Sequence, residues 1–256
     1  MYKRILYLFI VFIILISQVT IASEIKSISE INDMYYNLSN SKLDSFKCQV
    51  TTDIFEEIKK EIYPKLNEED RNEMKSIQFH LSYKDKNINF ITKNKPDFSN
   101  TQINVGMKQI INGTKKMVTG FFMSWDGIVA EPIINKKTDT NFIIKKNKNG
   151  YMAKYNQGEG NAEIQFDQNY IIKKLKYNSE NQKITILPKY MSTNEGLLVR
   201  ELEVNINNGF VKEFFKVKYK IINNIYLPKK INAKIKMVQG EQNYIIKLFN
   251  YDVIER

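Results

Sequence analysis

Three hydrophobic patterns follow one another along the chain. Ile5 to Ile16 is an apolar run without a charge. From Ser27 to Val129 most apolar positions recur at helical intervals, with short alternating stretches between them. From Asn141 onward apolar and polar residues alternate in short runs broken by Asn and Gly. Spacing of i, i+3, i+4 and i+7 places apolar side chains on one face of a helix, whereas strict alternation describes a half-buried strand.

Ser27 and Glu30 have capping-box spacing, and Ile28, Ile31, Tyr35 and Leu38 continue it as a first helix. Ser45 to Thr52 predicts a strand, with Phe46, Cys48 and Val50 alternating against Lys47 and Gln49. Asp53 is expected to cap a second helix in which Ile54, Phe55, Ile58 and Ile62 share a face, limited by Pro64. Gln78–Tyr83 and Ile88–Thr92 predict a hairpin.

Strands are expected near 141–146, 150–156, 161–166, 170–177, 183–190, 197–206, 210–222, 226–237 and 242–252. Asn149-Gly150, Asn208-Gly209 and Gln239-Gly240 suit the positive φ that tight hairpin turns require. Consecutive strands with such short connections form an antiparallel meander. The fold class is therefore α+β, mainly β. The specific expectation is a strongly curved antiparallel sheet or unclosed β-barrel of about ten to eleven strands, covered by helices. Val211, Glu213, Phe215, Val217, Tyr219 and Ile221 oppose Lys212, Lys216, Lys218 and Lys220, which makes one sheet face wet and the other covered.

The segment Ile103 to Val129 is the candidate cover. Its apolar residues fall on one wide arc at helical spacing, opposite Lys108, Asn112, Lys115, Lys116 and Thr119. Gly106, Gly113, Gly120 and Gly127 run along one edge of that arc at intervals of seven. Each interior glycine weakens a helix by about 1 kcal/mol relative to alanine, so this helix depends on what it packs against. Three roles fit the pattern: a fixed cover for the sheet, a lid over an apolar cavity, or a helix lying on a membrane surface. For the lid, the hydrophobic-ligand candidates are Ile110, Ile111, Met117, Val118, Phe121, Phe122 and Trp125. Phe121, Phe122 and Trp125 are expected at the centre, facing the sheet.

Lys3 and Arg4, the apolar run and the small residues of Thr20-Ile21-Ala22 form the three parts of a cleavable secretory leader over 1–22. That predicts an exported protein with a single domain over 23–256. Cys48 is the single cysteine, so an intramolecular disulfide is excluded and burial must hold the exported domain together. The formal net charge of +11 falls to +9 without Lys3 and Arg4. Such an excess favours anionic partners, of which an anionic membrane surface is one, and no nucleic acid is expected.

The leader, the first amphipathic helix and Leu43-Asp44-Ser45-Phe46-Lys47-Cys48-Gln49-Val50 resemble the opening of the LolA-type outer-membrane lipoprotein-sorting carriers. Ile225-Tyr226-Leu227-Pro228-Lys229-Lys230-Ile231, leading to Asn250-Tyr251, is similar to the last hairpin of that superfamily. The resemblance implies a periplasmic, non-enzymatic carrier with a helix-lidded unclosed barrel. It also implies a lipid, acyl chain or acylated protein as ligand. Two features depart from the family: Lys93-Asn94-Lys95-Pro96 lacks the lid-holding arginine, and the 103–129 helix is longer than expected. The alternative role is an envelope protein-interaction module, a sensor or assembly factor.

Catalytic motifs do not stand out. His80 is the only histidine, on the polar side of an alternating run, so His-rich and thiolate metal sites are excluded and no cofactor is expected. Cys48 reads as a small core residue. Glu68-Glu69-Asp70 reads as a solvated cluster complementing a helix start.

Overall fold

The structure is a computed structural model, and it describes residues 25–85, 87–130, 132, 143–157 and 159–256. The leader expected over 1–22 lies outside the described residues, as do 141–142 of the first meander strand.

In chain order the elements are α1 (Ile28–Asn32), β1 (Leu43–Thr52), α2 (Asp53–Ile62), α3 (Glu68–Ser76), β2 (Gln78–Lys84), β3 (Asn87–Lys93) and α4 (Thr101–Val129). The meander follows as β4 (Ile143–Asn147), β5 (Gly150–Gln157), β6 (Gly160–Phe166), β7 (Ile172–Asn178), β8 (Lys183–Thr193), β9 (Gly196–Ile206), β10 (Val211–Ile222), β11 (Ile225–Met237) and β12 (Gly240–Glu255). All twelve strands join one antiparallel sheet in the order β3-β2-β1-β12-β11-β10-β9-β8-β7-β6-β5-β4.

The sheet is therefore larger than the expected ten to eleven strands. It is also neither closed nor strongly curled, which corrects the expectation of a strongly curved sheet or unclosed barrel. Consecutive strands β3 and β4 stand on opposite edges, so the connection between them must pass over one face. That connection contains α4, which packs its apolar arc on the inner face of the sheet.

Local chemistry fixes several boundaries. At Gly150 (φ +144°) a β-carbon would lie 2.2 Å from the Phe166 carbonyl oxygen, so only glycine fits this turn. The capping box of Ser27 and Glu30 is present, but the helix stops at Asn32 instead of running on to Leu38. Tertiary pairing overrides the period there. Met34 O accepts from Leu197 N, Tyr36 N donates to Leu197 O, and the Tyr35 hydroxyl bridges Tyr170 O and Ile172 N. The cap of α2 is Thr52, whose hydroxyl accepts from Phe55 N at 3.3 Å. The expected cap, Asp53, instead accepts from Ile54 N and Ile245 N, tying α2 to β12.

Asp70 is buried rather than solvated. Its carboxylate accepts from Ser99 N and Ser99 Oγ, at 2.9 and 2.6 Å, which locks the chain entering α4. Asn100 then caps α4 through Gln102 N and Ile103 N.

Two apolar clusters fill the inner face. In the larger, the α4 arc meets side chains from β1, β2 and β9–β12. In the smaller, Ile31 of α1 and Tyr35 meet Tyr151, Ala153, Ile164 and Phe166 of β5 and β6. Leu175 and Tyr190 touch both clusters.

Candidate functional site: an apolar groove beside the long helix

The sequence singled out seven residues of α4, and the structure places all seven on its sheet-facing arc. Val118, Phe121, Phe122 and Trp125 are completely buried. Ile110, Ile111 and Met117 are half-buried against the same core. Phe121 meets Phe122 and Phe215 edge to face, with centroids 5.1 and 5.4 Å apart. The Trp125 indole donates to the Tyr219 hydroxyl at 3.0 Å, and that hydroxyl donates to Val199 O at 2.6 Å. These rings are pinned by partners on every side, as core residues are. With its apolar arc turned to the sheet, α4 does not offer that face to a membrane. Among the described residues, no helix is long and apolar enough to cross one.

Space opens just beyond these rings. A groove of about 470 Å³ lies between the C-terminal end of α4 and the inner face of β5–β8. Gly127 and Ile128 form its helical wall, and Tyr155, Ala162, Ile164, Leu175, Tyr177, Ile184 and Ile186 its floor. None of the seven sequence candidates lines it.

Strand register explains the apolar floor. Tyr155, Ala162, Tyr177 and Ile184 face one another across four strands, and Ala153, Ile164, Leu175 and Ile186 form the next row. The groove lies at the seam of the two clusters. Among the described helices, α4 covers one side and the five-residue α1 is too short to cover the rest. Glu163 and Lys176 alternate with these rows onto the opposite face of the sheet, 3.3 Å apart, with Lys154 on the other side of Glu163 at 3.5 Å.

The second row continues through Val204 to Glu213 and Ile235, so Glu213 is an acid on an otherwise apolar stretch of the face. Burial raises its carboxyl above the usual carboxylate range. The folded state thus favours the protonated form. The stability this confers is full below the ordinary value of about 4.3 and is lost as pH rises through the raised one. Glu213→Gln should therefore gain about 1 kcal/mol at pH 7, and nothing below about pH 4. Urea unfolding at the two pH values measures both, and an equal gain at both would deny the charge any part in it.

Other sequence candidates are accounted for structurally. Cys48 is buried beneath Tyr251, and burial pushes its thiol up to about 12, far from a reactive thiolate. His80 lies on the outer face between Gln49 and Ile91. Among the described residues, no group of three His, Cys, Asp or Glu side chains is placed to hold a metal ion. A second cleft, of about 440 Å³, is lined by polar groups including Asp33, Asn40, Glu195, Asn224 and Glu255.

Comparison with known proteins returns no matching family model, no matching curated protein and no matching solved structure.

Proposed function

We propose that the protein binds an acyl chain, carried by a lipid or an acylated protein, in the groove between the end of α4 and β5–β8, without catalysis. The observation that carries this reading is the pair of cross-strand apolar rows beside Gly127 and Ile128, in which Tyr155, Leu175, Tyr177, Ile184 and Ile186 are only half-buried. Apolar surface of that kind is a poor neighbour for water and a good one for a hydrocarbon chain. The groove's volume is within the range of about 300–1,000 Å³ usual for small-molecule sites. The resemblance to the lipoprotein carriers points the same way, to an exported periplasmic protein and an acylated cargo. The polar cleft fits a chain of that chemistry less well, since its lining would be stripped of water by it.

Titration with a fluorescent fatty-acyl probe tests the proposal. Saturable binding is expected, with the probe's own emission as readout, because Trp125 lies off the groove and fully in the core. The β-carbon of residue 127 meets nothing within 4 Å, so Gly127→Phe can place its ring in the groove without disturbing the core. It should weaken the probe at least tenfold, as should Ile184→Lys. A well-folded protein that ignores the probe, or binding unchanged by both substitutions, rejects the groove.

A protein-interaction module is the second reading, favoured by β4, a sheet-edge strand on which Ile143 is 60% exposed. Failure of the acyl probe would put that reading first.

A further inference from the structure

The outer sheet face carries a line of like charges that folding does not explain. Lys218 of β10 is in register with Lys230 of β11, and Lys230 with Lys247 of β12. Three lysines therefore stand side by side across adjacent strands, roughly 5 Å from one to the next. Like charges directly opposite destabilise a sheet. None of the three forms an ion pair among the described residues, although nearby lysines do. Glu201 draws in Lys189, Lys216 and Arg200, and Glu241 holds Lys234. Glu56, on the helix after β1, is engaged by the Thr51 hydroxyl at 2.8 Å. Two residues along β12 from Lys247, Phe249 is 40% exposed, and its cross-strand row ends in Ile91, 45% exposed.

We infer that this face docks on a lipid bilayer with anionic headgroups. The row Lys218–Lys230–Lys247 meets the phosphates, and Phe249 and Ile91 enter the interfacial region. A two-dimensional array of phosphates can neutralise all three ammonium groups at once, relieving a repulsion that the protein itself leaves uncompensated. Exposed apolar side chains beside the cations favour a bilayer over a purely polar polyanion, since only the bilayer offers them an apolar boundary. The docking face and the groove lie on opposite sides of the sheet, so each stands or falls without the other.

Co-sedimentation of the full chain with vesicles of phosphatidylcholine, with and without phosphatidylglycerol, is the test. The readout is the difference in binding between the two compositions, which cancels any contribution common to both. Lys218→Gln, Lys230→Gln and Lys247→Gln together should reduce binding to the anionic vesicles on the order of 100-fold, about fivefold per lysine. The corresponding triple arginine variant should retain it. About 1 M salt should abolish the difference, because charges are then screened beyond about 3 Å. The triple glutamine variant should also melt no lower than the parent, since it removes repulsion. Equal binding by parent and glutamine variant overturns the inference. So does a lowered melting temperature with the loss of binding, which would give the row a structural role. A soluble acidic polysaccharide binding this row more tightly than the vesicles would overturn it in favour of that partner.

Discussion

Replacing Phe121 by alanine is expected to remove about 3–5 kcal/mol of stability. The ring is fully buried and held edge to face by Phe122 of its own helix and Phe215 of β10. Truncation therefore leaves a hole lined by aromatic rings whose own positions are fixed. Phe122 leans on Trp125 and faces Phe46, and the Trp125 indole is tethered to Tyr219. A site that cannot collapse costs the transfer energy of the lost ring and the cavity as well. The urea midpoint should fall with the slope unchanged, as for a change in stability alone. A loss below about 2 kcal/mol would show that the ring borders yielding space, and would return it to the ligand-wall role considered from the sequence. The acyl probe should bind the variant much as it binds the parent, because Phe121 does not line the groove.

The second large effect has the opposite sign. Gly106, Gly113, Gly120 and Gly127 should all accept alanine, and the fourfold variant should be about 3 kcal/mol more stable. At each of the four a β-carbon would meet nothing within 4 Å. The stripe therefore does not serve the close approach of a sheet or helix that small residues usually permit. What remains is its intrinsic penalty, about 0.5–1 kcal/mol per interior glycine from the entropy of the unfolded chain. Seven residues of helix separate neighbours by about 10 Å, far enough for the gains to add. Thermal or chemical unfolding of the single and fourfold variants measures this. A destabilised fourfold variant would mean that something occupies the space beside the stripe in the folded protein. The two results together would describe α4 as a helix of weak intrinsic propensity, secured almost wholly by the rings of its C-terminal half.

Local pattern carried much of this protein. Alternation and turn chemistry were enough for the antiparallel meander, since a strand buried on one face must alternate and a tight hairpin must place Asn or Gly at positive φ. Helical period was enough for the sheet-facing arc of α4, because residues three and four apart share a face whatever the partner. Pattern failed where distant groups competed with it. The period through Tyr35 and Leu38 lost to backbone pairing with Leu197 and to the hydroxyl bridge from Tyr35 to β7 and the turn before it. The Glu68-Glu69-Asp70 run could not show that Asp70 would be drawn inward by Ser99.

Openness of the sheet was likewise beyond local pattern. Whether twelve alternating strands close depends on which strands become the edges, here β3 and β4. The groove is non-local in the same sense, because Gly127 and Ile128 meet Ala162, Leu175 and Ile184 only once four strand registers are set. So is the lysine row. The alternating lysines of β10 are plain in the sequence, yet their alignment with Lys230 and Lys247 depends on two hairpin registers, one shifted immediately after Lys218. Sequence by itself determined which side chains face in and which face out, because that needs only the geometry of one strand or one helix. Tertiary structure alone decided which of them became neighbours, because a one-residue slip in any register would have set different side chains against one another.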